Sequence, residues 1–180
     1  MKRAVAGRAA GQPRIETRRS EVHGLGVFAL DTFAPGETIV EYVGEIIDLQ
    51  EALRRHPHDP NDPHHTFYFH IDDRRVIDGL HGGNDSRWIN HSCQPNCEPD
   101  QVKGRIFIKA RRPIFRGEEL SFDYGLVSDE PLTDELKATY PCFCGAKKCR
   151  GLVSQMLNPG PSLGSRTVAR CGWVGRLIYY

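Results

Sequence analysis

The chain has 180 residues, 39% of them hydrophobic and 26% charged, with a formal net charge of +1. That length suits one compact domain and excludes two large ones; no uninterrupted apolar run approaches the ~18 residues of a membrane span. The charge is uneven, because residues 1–20 carry six basic side chains against the single acid Glu16, a net +5 that leaves −4 on the rest. A mildly acidic body suits a cationic partner and restricts contact with nucleic acid to the basic arm.

Taken in chain order, residues 1–14 read as a disordered basic arm. The start, MKRAVAGRAA, lacks the apolar stretch of a secretory signal, although an Arg/Ala-rich, acid-poor opening also has the composition of an organelle transit peptide. From Val22 the pattern turns to short β-rich segments punctuated by Gly and Pro. GVFAL (26–30), ETIVEYVG (37–44), FYFHI (67–71) and RIFIKA (105–110) have the β-branched and aromatic content of strands. DLQEALRRH (48–56) reads as a helix, with Asp48 as its N-cap and Glu51 as a capping-box partner. HPHDPNDPHH (56–65) is a Pro-broken polar loop; its four histidines have no fixed geometry, and a solvated loop is expected there rather than a metal site. A second short helix is expected after Thr133, and the chain from NPGPSLGS onward reads as a linker before WVGRLIYY. The expectation is one strand-dominated domain from about 15 to 152.

Six cysteines occur, at 93, 97, 142, 144, 149 and 171. Without a secretory signal a disulfide framework is disfavoured and metal binding favoured. CFCGAKKC (142–149) has the spacing C-x-C-x4-C, from which one turn can supply three zinc ligands; Cys93 or Cys97 in HSCQPNC would be the fourth. Four thiolates leave no open position, so such a zinc is a staple rather than a catalyst. His91 and Cys93 could pair as base and nucleophile, but a cysteine committed to metal is not a free nucleophile and no third group orients the pair.

The ordered set HGLGVFA, EYVGE, RWINHSCQPN, GEELSFDYG and CFCGAKKC resembles a SET-domain protein lysine methyltransferase with a cysteine-rich post-SET segment, of the small stand-alone type seen in bacteria. The resemblance covers about residues 15–152. It implies a mainly β fold of small sheets with a pseudoknot, in which the NHSC and FDY segments cross, and few short helices. It divides the chain into a SET domain at 15–130, a post-SET zinc segment at 131–152 and a tail of unknown role at 153–180.

The resemblance also implies roles for individual residues. S-adenosyl-L-methionine is to be bound around His23, Gly24 and Leu25, with Phe67, Arg87, Asn90 and His91 nearby and Phe143 lying against it. The glycines Gly24 and Gly26 let a backbone approach a ligand closely. Tyr124 is implied to be the main catalytic residue, and Tyr42 to line the lysine channel. Phe122, two residues before Tyr124, occupies the family's size-switch position; lacking a hydroxyl to anchor water, it leaves room for di- or trimethylation. Cys93, Cys142, Cys144 and Cys149 become the zinc ligands, leaving Cys97 and Cys171 as plain thiols. The sequence departs from the family at Phe67, where many relatives have tyrosine, at Leu25, where a larger side chain is common, and at Trp88, commonly phenylalanine.

The substrate implied is a histone or another lysine-rich basic protein. Its compartment is the cytoplasm for a bacterial source or the nucleus for a eukaryotic one. Competing readings are a catalytically inactive SET-like module that binds proteins, and a zinc-bearing nucleic-acid binder. The intact set Tyr124, Asn90 and His91 argues against the first, and the acidic body against the second.

Overall fold

A computed structural model describes residues 12–56, 67–128, 134, 141–153, 155 and 156. Two antiparallel strands open the chain, β1 (Ile15–Arg19) and β2 (Leu25–Ala29). Then come β3 (Thr38–Tyr42), β4 (Glu45–Asp48), helix α1 (Leu49–Arg55), β5 (Tyr68–His70) and β6 (Arg75–Asp78). A 3-10 turn at Asp85–Trp88 leads into β7 (Asn90–His91), followed by β8 (Cys97–Val102), β9 (Arg105–Ala110) and β10 (Ser121–Phe122). The short strands β11 (Val127–Ser128) and β12 (Gln155–Met156) pair in parallel.

The fold is mainly β, built as small sheets. Three strands form β3–β9–β8 and three form β4–β6–β5, all antiparallel. Strand β9 lies at the centre of its sheet because its residues alternate: Ile106, Ile108 and Ala110 are fully buried while Arg105, Phe107 and Lys109 face outward. Its partner β8 is an edge strand, the position that tolerates Pro99 and a run of polar side chains. The two are joined by Lys103–Gly104, both at positive φ (51° and 78°), a two-residue hairpin of type I′.

The principal core gathers Phe33, Phe69, Ile89, Ile114, Leu120 and Phe122 around the inner faces of β3 and β9. A smaller core of Ile47, Ala52, Tyr68 and Val76 lies under α1. That helix is locked by charge as well. Asp78 is fully buried, and its carboxylate takes Arg55 at 2.9 Å and the His81 ring at 2.9 Å. Arg55 also reaches Glu45 and Glu51.

The four strands and the helix expected from residue pattern are present, β9 with the expected ends, α1 with Asp48 and His56 as its caps, and the other three strands with shifted ends. Asp48 caps α1 through the Glu51 N–H at 2.8 Å, but the reciprocal half of the capping box is missing, because the Glu51 carboxylate is taken by Arg54 and Arg55. Arg14, assigned above to the arm, is held by Asp31, Glu37 and the Thr32 carbonyl, and its guanidinium stacks 4.3 Å over Phe33. The helix after Thr133 falls outside the described residues apart from Asp134, as do most of the histidine loop, Cys171 and almost all of the tail.

Candidate active site and cysteine centre

Two motif segments that lie far apart in sequence meet in the parallel pair β7–β10, with Asn90 opposite Ser121 and His91 opposite Phe122. A buried side chain, Asn96, fastens this crossing: its amide donates to the Glu119 carbonyl at 2.8 Å, and its oxygen accepts from the Ser121 N–H at 2.8 Å. Two-residue strands have little cohesion of their own, so this side chain supplies hydrogen bonds the ladder lacks.

On one side of the crossing, the Asn90 amide nitrogen lies 2.9 Å from the Leu25 carbonyl, 3.3 Å from the His23 carbonyl and 2.9 Å from Glu119 Oε1. Glu119 is fixed in turn by the Ser20 hydroxyl at 2.7 Å. The His23–Leu25 loop is thereby tied to Asn90. With the nitrogen committed to these acceptors, the Asn90 oxygen is the atom left to receive a donor. The two glycines of HGLG have different surroundings. Gly24 has φ +47° with nothing near its missing Cβ, which leaves open space there. At Gly26 a Cβ would collide with the Glu119 carboxylate, so this glycine is required by the Asn90 network itself.

On the other side stands Tyr124. Its N–H donates to His91 Nδ1 at 3.2 Å, and its hydroxyl donates to the Ile89 carbonyl at 3.0 Å. Burial pushes the His91 pKa down to about 4, so the ring is neutral near pH 7; with Nδ1 accepting, its proton sits on Nε2, 3.5 Å from Cys93 Sγ. Rings run on from Tyr124 to Phe122 (centroids 5.2 Å apart), Phe69 (5.9 Å further) and Tyr42 (5.1 Å further), an apolar wall beside the tyrosine. Phe122 is buried in it. The Tyr42 hydroxyl is committed to the Phe67 carbonyl at 2.8 Å.

Phe67 packs edge-on against Trp88 at 4.9 Å, and the Arg87 guanidinium lies 5.3 Å from the same indole. Arg87 donates to the Gly79 carbonyl, while its Nε is buried with no hydrogen-bond partner. Phe143 is 61% exposed. A cavity of about 250 Å³ opens between the body and the cysteine segment, with Val22, His91, Ser121 and Cys144 on its walls. The open space at Gly24, the unpaired acceptor of Asn90 and, separately, a cavity lined by groups of both signs, Arg112, Glu118 and Glu119 among them, suit a polar small molecule.

The sulfurs of Cys93, Cys142, Cys144 and Cys149 all lie within 4.8 Å of one another, with Cys93 and Cys142 3.7 Å apart. A tetrahedron with ~2.3 Å metal–sulfur bonds has an edge of ~3.8 Å, so the donor set and spacing suit zinc. Main-chain N–H groups already face the sulfurs, Arg150 toward Cys93 at 3.4 Å and Gly151 toward Cys149 at 3.3 Å. Burial raises the Cys144 thiol, but N–H groups of Cys93 and Ala146 outweigh it and hold the pKa down at about 6. Cys97 is fully buried outside the cluster, and burial pushes its thiol up to about 12, as expected of a plain thiol.

Asn96, Glu119, Asp123 and Arg150 were missed as site residues by sequence reasoning. The first three sit inside the quoted motifs, and Arg150 follows the last cysteine; polar residues embedded among apolar motif positions were the available signal.

Residues 24–125 match the SET domain family. The chain is 36% identical over 155 residues to histone-lysine N-methyltransferase TRX1 of Oryza sativa, covering 83% of this chain and 14% of that protein. It is 39% identical over 145 residues to histone-lysine N-methyltransferase set-2 of Caenorhabditis elegans, covering 78% and 9%. It is 38% identical over 141 residues to the H3 lysine-4 specific histone-lysine N-methyltransferase of Saccharomyces cerevisiae, covering 76% and 13%. The match thus spans about a seventh or less of the length of these relatives. With the family's motifs brought together across β7 and β10, and with the matched region exceeding half its length, the chain belongs to the SET-domain family.

Proposed function

We propose that this chain is a protein-lysine N-methyltransferase that uses S-adenosyl-L-methionine and acts on a histone or another lysine-rich basic protein. The observation that carries this is the meeting of Asn90, His91 and Tyr124 at one crossing, with the polar network on one side and the aromatic wall on the other. The relatives' printed activity supports the same reading.

When bound, S-adenosylmethionine supplies an electrophilic methyl group on a sulfonium. Asn90 Oδ1, Arg87 and the His23–Leu25 loop would hold it by polar contacts, and Phe67 and Phe143 would supply apolar ones. A substrate lysine, with an unperturbed pKa near 10.4, has to become neutral before its nitrogen can attack. A channel walled by Tyr42, Phe122 and Tyr124 disfavours the ammonium by desolvation. The Tyr124 hydroxyl donates its proton to the Ile89 carbonyl, so its part in holding polarised C–H groups at the reaction centre would be that of an acceptor. Positioning and a fixed polar environment supply the rate. Phe122 brings no hydroxyl to anchor a water, which leaves room for di- or trimethylation. Cys93, Cys142, Cys144 and Cys149 would hold a structural zinc, which would fasten the segment at 141–153 to the body at Cys93.

The test is transfer of labelled methyl groups to a panel of histones and other lysine-rich proteins, comparing the intact chain with Tyr124→Phe. Label on one protein, reduced by about 100-fold or more in the variant, is the expected result. No transfer together with no cofactor binding would turn the reading toward a non-catalytic binding module. Monomethyl-lysine as the sole product, at excess cofactor and long incubation, would overturn the role given to Phe122.

A further inference from the structure

The residue after the last cysteine of the cluster makes contacts in two directions. The main-chain N–H of Arg150 points at Cys93 Sγ, while its guanidinium forms a two-pronged pair with Asp123, at 2.7 Å and 3.0 Å. The same guanidinium lies 3.4 Å from the Val153 carbonyl and 3.5 Å from His91 Nε2. Since Nε2 carries the imidazole proton, that last contact is packing rather than a hydrogen bond.

Asp123 is the residue before Tyr124. One of its oxygens accepts the Gly125 N–H at 3.1 Å, and the same oxygen lies 3.6 Å from His91 Nδ1. The main chain on both sides of Tyr124 is therefore fixed by two acceptors, His91 Nδ1 for the N–H of Tyr124 and Asp123 for that of Gly125. Arg150 holds the second of these and packs on the ring of the first. Both side chains of the pair are about two-thirds covered, 30% and 32% exposed, and a bidentate guanidinium–carboxylate pair fixes orientation as well as distance.

The electrostatics run the same way. A divalent ion with four thiolates carries a net charge of −2, and a guanidinium beside it offsets part of that charge. One residue thus senses the cysteine centre through its main chain and the tyrosine segment through its side chain. The Lys148 N–H bond to the Gln94 side chain (3.1 Å) also ties the cysteine segment to the body, but it makes no contact with Asp123.

We propose that Arg150 is a positioning residue that couples the cysteine centre to the setting of Tyr124, acting through Asp123. The inference rests on the methyltransferase reading for its kinetic consequence, but not for its structural one. Wild-type chain carrying zinc, the same chain stripped with a chelator, Arg150→Gln and Arg150→Lys are compared by amide hydrogen exchange, metal content and steady-state methyl transfer.

Arg150→Gln is expected to retain one zinc per chain, because its main-chain N–H still faces Cys93. The amides of Tyr124 and Gly125 are expected to exchange about tenfold faster in that variant, and in the stripped wild type, while β9 amides stay protected. The turnover number of Arg150→Gln falls at least about tenfold with KM for the cofactor within about twofold, and Arg150→Lys recovers part of the loss. Unchanged exchange at Tyr124 and Gly125 overturns the proposal. So does an equal rise across β9, which marks a general stabiliser, and so does loss of zinc from Arg150→Gln. Exchange and metal content are read without any methyl transfer. An inactive wild type with the expected exchange pattern therefore counts against the functional reading alone.

Discussion

The sheet β3–β9–β8 and the cysteine segment at 141–153 are held together by different physics. In β9, every second side chain is fully buried, and burial of each isoleucine contributes on the order of 2 kcal/mol. In residues 141–153, Leu152 alone is buried, and what fixes the segment is the four sulfurs, the Arg150–Asp123 pair and a few main-chain bonds. The body is self-supporting. The segment borrows its order, and one wall of the cavity is made of it. The difference teaches that one half of the site rests on a packed core and the other on a few polar contacts and the four sulfurs.

Removing the metal should have the largest effect and tests that contrast directly. A chelator, or Cys144→Ser, is expected to lower methyl transfer by about 100-fold while the Tm of the body moves by only a few degrees. Calorimetry beside the activity assay reads both; a body that melts together with the segment would erase the distinction. Next in size, Gly26→Ala drives a Cβ into the Glu119 carboxylate, and so strikes the half of the site that rests on the packed core. Overpacking of this kind costs about 1–3 kcal/mol, and displacement of Asn90 should weaken cofactor binding by about tenfold, both measurable by denaturation and titration calorimetry. The smallest effect belongs to Tyr42→Phe. The Phe67 carbonyl keeps the Gly79 N–H as a donor when the hydroxyl is lost, so stability should fall by only about 1 kcal/mol in a urea titration.

What could be read in advance follows the same division. Strands β2, β3, β5 and β9 were legible because β-branched and aromatic residues concentrate in them, and α1 because Asp48 announces its start. The spacing of the last three clustered cysteines pointed to a metal without any fold; choosing Cys93 over Cys97 took the family pattern. Strand β8 was illegible, since CEPDQV holds a proline and two acids, and only its position at a sheet edge makes that tolerable. Charged β1 hid for a similar reason: Arg18 stacks 3.8 Å over Phe28, using its stem as apolar surface. The strands β7 and β10, at two residues each, are too short for any periodicity. The roles of Asn96 and Glu119 depend on partners 20 to 30 positions or more away in the chain, which a local pattern does not encode.

The pairing of β7 with β10 has a consequence for how the molecule comes into being. Some 30 residues separate the two strands, and the β8–β9 hairpin occupies part of that stretch, so the entropy of closing the loop is reduced once the hairpin has formed. Asn90 and Tyr124 therefore have no local route to each other, and a formed hairpin lowers the cost of bringing them together. A chain emerging from synthesis holds neither half of the site in working order until residues past 124 have been made.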